Sequence, residues 1–312
     1  MESAYWRTLI EVVDTGSFSR AAHALCISQS AVSRRIHFLE EQYGFPVVDR
    51  SDPLLRPTTA GQIVLEKARS ILSLETELVR GLDRLKGKRS FSFCCTPAFG
   101  VSYLPRVLHS FMLSNSDLVD VRFVFDMPAR IIQGLQAGLY DSAVIEHCES
   151  FDLGDFSTNP LPGDEMVFVS STAMRLRPGE VELDALLEKT LLTRKEGCCS
   201  RTLLESNLAR LGRSLADFRN VAVVDDLQVI LRAVRRGSAV SFLSNSILRD
   251  QADAANLASH QVAGFQHRRN RTLVLGEGAE HCPMLFEFQS AIMDVFAGDE
   301  LGPACDGARD VA

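Results

Sequence analysis

At Ser90 the spacing of apolar residues changes period, dividing the 312-residue chain into parts that cannot share one architecture. Upstream, apolar residues recur every three or four positions, as in Val32, Ile36 and Leu39, the spacing of one helix face. Downstream, short apolar runs such as Phe91-Ser-Phe-Cys-Cys-Thr96 alternate with helical stretches, the order of parallel α/β units. The length suffices for two or three domains, each with its own core. The expected fold class is therefore α/β, with an N-terminal all-α module and a long helix between the two parts.

Residues 18–43 read as two helices broken near Cys26 and Ile27. Ala21, Ala22 and Leu25 form one apolar stripe and Val32, Ile36 and Leu39 another, so both helices are expected on a shared core. Ser28 is a good N-cap for the second helix, whose next turns expose Gln29, Ser30, Ser33, Arg34 and His37. A helix start offers free N–H groups to phosphate, while Gln suits adenine and Arg suits guanine in a major groove. Any amphipathic helix pair has a polar face, so the continuation matters. Gly44 is placed to end the helix, and residues 45–50 and 54–58 read as two short strands about a turn at Asp52-Pro53. Such a wing would bring Arg50 and Arg56 to a sugar-phosphate backbone, while a solvated hairpin is the plainer alternative. The net charge of −7 is uneven: residues 1–89 carry 13 Lys and Arg against 11 Asp and Glu, leaving the acidic excess downstream.

In order and spacing, Phe18-Ser-Arg-Ala-Ala22, Ser28-Gln-Ser-Ala-Val-Ser33, Leu39-Glu40, Gly44, Arg50 and Thr59-Ala-Gly61 resemble the winged helix-turn-helix of LysR-type transcriptional regulators. The likeness spans about residues 4–61 and implies that Ser28 to Arg35, including Arg35 itself, carry the contacts to double-stranded DNA. Val47-Val48 departs from the Leu-Phe usual before the wing, keeping the apolar character. The resemblance implies domains over 1–61, a linker helix over 60–88 and an effector-binding domain over 90–297; residues 298–312 are expected to form a disordered tail.

Thr59 caps the expected linker helix, along which a 4,3 repeat runs through Val64, Ala68, Ile71, Glu75, Leu78, Leu82 and Leu85. That stripe is longer than a small winged domain covers, which favours a homodimer through 64–85 over a helix packed on its own chain. Glu75 would interrupt the seam and set its register. The resemblance adds that such dimers bind paired half-sites and usually associate into tetramers.

The α/β portion reads as two lobes, one near 90–161 with 268–297 and another near 162–267, crossing at Pro160-Leu-Pro162 and Gly264-Phe265. The pattern resembles the periplasmic-binding-protein-like effector domain of LysR regulators. Ligands in open α/β sheets bind beyond the carboxyl ends of strands, which selects Cys95, Thr96, Pro97, Phe99, Glu146 and His147 from lobe one. Lobe two offers Cys198, Cys199, Ser200 and Arg201 at a helix start, then Asp226 and Gln228. The helix start and Arg201 favour an anion, and the resemblance implies a small metabolite as effector. As plainer roles, Thr96 and Ser200 would be caps, His147 a loop residue and Arg201 a surface cation.

No run approaches the roughly 18 apolar residues of a membrane helix, so a cytoplasmic protein with no membrane partner is expected. Eight cysteines without C-x-x-C spacing give neither a disulfide scaffold nor a zinc site. No Gly-x-Ser-x-Gly, phosphate loop or dinucleotide turn points to an enzyme, and no cofactor is expected. Two further readings stand beside the regulator: a thiol or metal sensor using Cys94, Cys95, Cys198 and Cys199, and a solute-binding or enzymatic α/β protein.

Overall fold

The computed structural model describes residues 3–51, 55–85, 90–115, 120–249, 256–279 and 282–300. It divides into two compact units, one built on Met1–Lys88 and one on Arg89–Gln136 with Tyr140–Ala312. The first unit holds helices α1 (Ser3–Thr15), α2 (Phe18–Ala24) and α3 (Gln29–Tyr43). Strands β1 (Val48–Asp49) and β2 (Arg56–Pro57) follow, then the long helix α4 (Thr59–Leu85).

Local chemistry sets these boundaries. Ser28 is extended and its hydroxyl accepts from the Ala31 N–H at 3.2 Å, while Gly44 closes α3 at φ +68°, a left-handed cap that favours glycine. Between α2 and α3 the chain turns through Cys26 at φ +53°. Trp6, Leu9 and Val12 of α1, Ala21 and Ala22 of α2, and Val32, Ile36 and Leu39 of α3 share one core with Val47 and Val48. The wing is shorter than the apolar pattern suggests, two residues per strand, paired antiparallel as Val48 with Pro57 and Asp49 with Arg56. Pro46 and Pro57 lack the N–H groups a longer ladder needs. The expected turn at Asp52-Pro53 lies outside the described residues. A side chain at Gly61 would meet the Val47 carbonyl oxygen at 1.9 Å, so the wing lies directly on the start of α4.

The first turns of α4 belong to this core: Leu65 and Ala68 are buried and Val64 and Leu72 half-buried in it. Further along, Ile71, Leu74, Leu78, Val79 and Leu82 are exposed. The expected seam is thus corrected at two points. Val64 and Ala68 are occupied within their own chain, and Glu75 turns to α1, where Ser3 Oγ donates to it at 3.0 Å and Arg7 Nη2 at 3.5 Å. Leu74 stands on the exposed stripe instead. The side chain of Leu85 lies outside the described residues.

The second unit is two-lobed. Lobe one contains β3 (Ser90–Cys95), α5 (Pro97–Ser102), α6 (Leu104–Ser114), β4 (Asp120–Phe125), α7 (Pro128–Gln136) and β5 (Ser142–His147). The chain then enters β6 (Ser157–Ser171), the strand that joins the lobes, and continues through β7 (Gly179–Glu180), α8 (Leu183–Leu187), β8 (Thr190–Thr193) and α9 (Cys199–Arg210). Next come β9 (Asn220–Val223), α10 (Leu227–Arg235), β10 (Ser241–Ser244), α11 (Ser246–Arg249) and β11 (Leu257–Gln261). Strand β12 (Arg268–Leu275) and helix α12 (Pro283–Glu300) return to lobe one. The strand order β4-β3-β5-β12-β6-β11-β7, with β10 also on β6, carries one sheet through both lobes. Strands β4, β3 and β5 are parallel, and β12 runs antiparallel between β5 and β6.

Period-two alternation sorts the lobe-one core. Phe91, Phe93 and Cys95 pack with Phe99, Tyr103, Phe288 and Phe296, while Cys94 faces Ile131, Ile145 and Val274 on the other side. The expected crossing at Pro160-Leu-Pro162 is instead continuous strand. Residues 157–165 of β6 pair with β12, and from Met166 onward β6 pairs with β10 and β11. The first half has its ladder partner on one side only, and such an edge tolerates proline. The lobes therefore cross between Glu165 and Met166 and again just before Arg268. Helix α12 extends to Glu300, three residues into the expected tail, and residues 301–312 lie outside the described residues.

Candidate DNA interface and interlobe cleft

Helix α3 has two faces. Val32, Ile36 and Leu39 are fully buried, whereas Ser28, Gln29, Ser30, Ser33 and Arg34 are exposed. Their geometry is held locally: Ser19 Oγ donates to Gln29 Oε1 at 3.1 Å, Ser28 and Ser30 hydroxyls lie 3.0 Å apart, and Arg34 Nε reaches the Ser30 carbonyl at 3.3 Å. These contacts are solvent-facing and exchangeable for a ligand's acceptors. Arg35 differs from the other α3 candidates. It is half-buried, and its Nη1 donates to Thr8 Oγ1 at 3.1 Å, which anchors α3 to α1. In the wing, Arg56 is exposed, while Arg50 pairs with Glu40 at 2.8 Å and lies 5.7 Å from the Phe18 ring centroid.

In the second unit a cleft forms where the lobes meet. Lobe one contributes Thr96, Pro97, Met127, Pro128 and Glu146, and lobe two contributes Arg194, Cys198, Cys199, Ser200 and Leu227. Arg269 of β12 lies at the crossing. The cavity is about 30 Å³ and partly open to solvent. Between the walls that is room for about two water molecules.

The floor is a buried quartet of two acids and two arginines. Arg269 donates to Asp164 through Nε at 2.8 Å and Nη2 at 2.6 Å, and to Glu146 Oε2 at 3.0 Å. Arg271 reaches Glu146 Oε1 at 2.9 Å and the Pro162 carbonyl at 2.9 Å, and its guanidinium lies 4.6 Å from the Tyr103 ring centroid. Thr96 Oγ1 donates to Glu146 at 3.1 Å and Ser244 Oγ to Asp164 at 2.7 Å. Burial pushes the Asp164 carboxyl up, but Arg269, Arg271 and the Ser244 hydroxyl outweigh it and hold the group below its ordinary value. Paired charges with this many hydrogen bonds fit a buried site.

Several expected cleft residues sit elsewhere. Cys95 and Phe99 point into the lobe-one core, since alternation puts them on the face under α12. His147 is buried with Nε2 2.9 Å from Thr272 Oγ1 and Nδ1 3.0 Å from the Cys148 carbonyl. Arg201 pairs with Glu205 at 2.8 Å and Glu196 at 3.6 Å. Asp226 caps α10, accepting from the Gln228 and Val229 N–H groups at 2.7 and 3.0 Å, and Gln228 is exposed outside the lining. Thr96, Pro97, Glu146, Cys198, Cys199 and Ser200 do line the cleft, but Glu146 is spent on the quartet and Thr96 on Glu146 rather than on a cap. The four expected sensor thiols are not gathered. Cys94 and Cys95 are buried, and burial pushes Cys94 up to about 12 and raises Cys95 as well.

The sequence reading missed Arg194. Its side chain is buried, Nη2 donates to Asp225 at 2.9 Å, and its Nε has no hydrogen-bond partner. Close by, α9 opens on Cys198 without a side-chain cap. A buried guanidinium N–H without a partner and an uncapped twelve-residue helix start both favour a small anion.

The chain matches two family models, "Bacterial regulatory helix-turn-helix protein, lysR family" over residues 4–62 and "LysR substrate binding domain" over residues 86–297. It is 25% identical over 291 residues to the RuBisCO operon transcriptional regulator of Allochromatium vinosum, covering 92% of this chain and 94% of that one. Among solved structures it resembles CbnR, a LysR family transcriptional regulator, with a TM-score of 0.57 at 19% identity over 95% of this chain and 99% of that one. Full-length CbnR complexed with its target DNA gives a TM-score of 0.55 at 19% identity over 95% and 100%. At that identity the structural likeness speaks for the fold alone.

Proposed function

Since this chain belongs to the LysR family of DNA-binding transcriptional regulators and carries the family's effector domain, we propose that α3 reads an operator as part of a dimer built on α4. A small anion in the interlobe cleft controls that binding. The observation that carries the reading is the division of α3 into a sealed apolar face and an exposed face bearing Ser28, Gln29, Ser30, Ser33 and Arg34. Arg56 is free to touch a phosphate, whereas Arg50 would first have to leave Glu40, and Arg35 acts by fixing the tilt of α3 on α1. The exposed stripe of Ile71, Leu74, Leu78 and Leu82 supports a second copy as partner, and pairs of such dimers would give the tetramer.

Arg34→Ala and Gln29→Ala are expected to weaken binding to the DNA upstream of the protein's own gene. A lost base contact should relax preference at one position by about 1–3 kcal/mol, while a lost phosphate contact should lower affinity on all sequences and flatten the salt dependence by about one unit. Footprinting with both variants measures this, and unchanged binding by both would remove α3 from the groove.

For the cleft, sulfate and inorganic phosphate serve as probes. Either is expected to raise the unfolding temperature of the native protein through preferential binding to the folded state. Arg194→Met should lose that gain, because the buried N–H is deleted while much of the apolar stem remains. A variant stabilised as strongly as the native protein would move the anion away from Arg194.

A further inference from the structure

The sulfur atoms of Cys148 and Cys199 lie 3.4 Å apart. Cys148 follows β5 in lobe one and Cys199 opens α9 in lobe two, so this is a thiol pair across the lobes. We propose that Cys148 and Cys199 are a redox clasp, oxidised by a small hydroperoxide to a disulfide that ties the two lobes together. The proposal is independent of which effector fills the cleft.

Three observations support it. A disulfide needs about 2.05 Å between sulfurs, so the pair must close by roughly 1.4 Å, within reach of side-chain rotation. The two thiols are also chemically unequal. The hydrogen bond from Cys199 lowers Cys148 to about 7 despite burial, helped by the Arg269 charge, and the same contact with burial drives Cys199 far upward. Cys148 is thus the nucleophile and Cys199 the proton-holding partner that resolves it. Finally, the pair can be reached: Cys148 is half-buried, and Cys199, though buried, lines the partly open interlobe cavity.

The chemistry balances with the peroxide as oxidant. The Cys148 thiolate attacks one peroxide oxygen, the O–O bond breaks, and the other oxygen leaves, taking up a proton as alcohol or water. Cys148 is now a sulfenic acid. The Cys199 sulfur then attacks the Cys148 sulfur, the S–O bond breaks, and hydroxide leaves with the Cys199 proton as water. Two thiols are oxidised by two electrons and one peroxide is reduced.

The test uses the full chain, purified reduced and exposed to one equivalent of H2O2 at pH 7. Quenching with N-ethylmaleimide and peptide mass spectrometry follow. The expected result is a peptide pair joining residues 148 and 199, reversed by dithiothreitol. Cys148→Ser should give no such link, and Cys199→Ser should leave Cys148 as a sulfenic acid that dimedone traps. Cys198→Ser should keep the 148–199 link, which separates the clasp from a vicinal 198–199 bridge. In the reduced protein the alkylation rate of Cys148 should rise through a midpoint near pH 7 rather than near the ordinary thiol value of 9. The proposal is overturned by a midpoint near 9, by a 198–199 or intermolecular disulfide as sole product, or by oxidation of Cys148 without a link to Cys199.

Discussion

Asp164→Asn is expected to cost the second unit about 3–5 kcal/mol, the penalty for breaking a buried ion network and leaving opposite charge without its partner. In a domain of this size that is a fall in unfolding temperature of roughly 6–20 °C, readable by calorimetry on the native protein and the variant. The reason is the position of Asp164. It lies on β6 where that strand leaves β12, and it receives Arg269 and Arg271 together with Ser244 from lobe two. Removing its charge leaves two buried guanidinium groups sharing the single carboxylate of Glu146. A comparison fixes the scale: Arg213→Gln breaks the exposed pair with Asp184 at 2.9 Å and should cost no more than about 1 kcal/mol. The pH dependence follows from the lowered Asp164 value. The folded state holds this carboxyl below its ordinary 3.8, so its contribution to stability is complete above that pH. It disappears as pH falls through the lower folded value. The gap between native protein and Asp164→Asn should therefore narrow below pH 3.8. Equal losses for Asp164→Asn and Arg213→Gln at pH 7 would show that the quartet does not hold the crossing.

This quartet also marks where sequence reading reached its limit. The DNA-binding module was legible because its signals are local: Ser28 caps the helix that begins at Gln29, Gly44 ends it, and Val32, Ile36 and Leu39 declare the inward face within a dozen residues. The lobes were legible as a change of period and as strands separated by helices. Which side of a strand end faces the cleft was not legible. Cys95 and Thr96 are adjacent at the end of β3, yet one is core and the other touches Glu146. Glu146 was picked out as a ligand because its two arginine partners lie more than 120 positions away. Arg269 and Arg271 did carry a signal, two arginines at alternate positions of a strand and hence on one face, with Glu146 opposite Arg271 in the paired register. Glu75 was misplaced for the same reason, since its partners Ser3 and Arg7 are about seventy residues upstream. The Cys148–Cys199 contact depends wholly on how two lobes close, and nothing near Cys148 in sequence announces it.

Leu78→Glu is expected to convert the protein to monomers at low micromolar concentration and to weaken binding to a two-half-site operator by about a hundredfold or more. The second figure follows from avidity. A dimer that holds one half-site presents the other module at high effective concentration, and linkage of this kind is worth about 10²–10⁴ in affinity. The first follows from burial. Leu78 is 63% exposed on the single chain, in a stripe with Ile71, Leu74 and Leu82. Burying each leucine against a second copy contributes about 1.5–3 kcal/mol, whereas a glutamate there brings one carboxylate from each copy into the same apolar seam. Sedimentation and binding to operator fragments with one or two half-sites measure the two effects, and the one-half-site fragment should bind native and variant protein alike. The register of the seam has its own test in Glu75→Leu. If the repeat ran through residue 75, that change would complete an apolar seam and tighten the dimer. The structure turns Glu75 toward Ser3 and Arg7, so Glu75→Leu should leave the dimer constant unchanged and cost only the two α1 contacts. A tighter Glu75→Leu dimer, or a Leu78→Glu protein that stays dimeric, would place the interface on another face of α4.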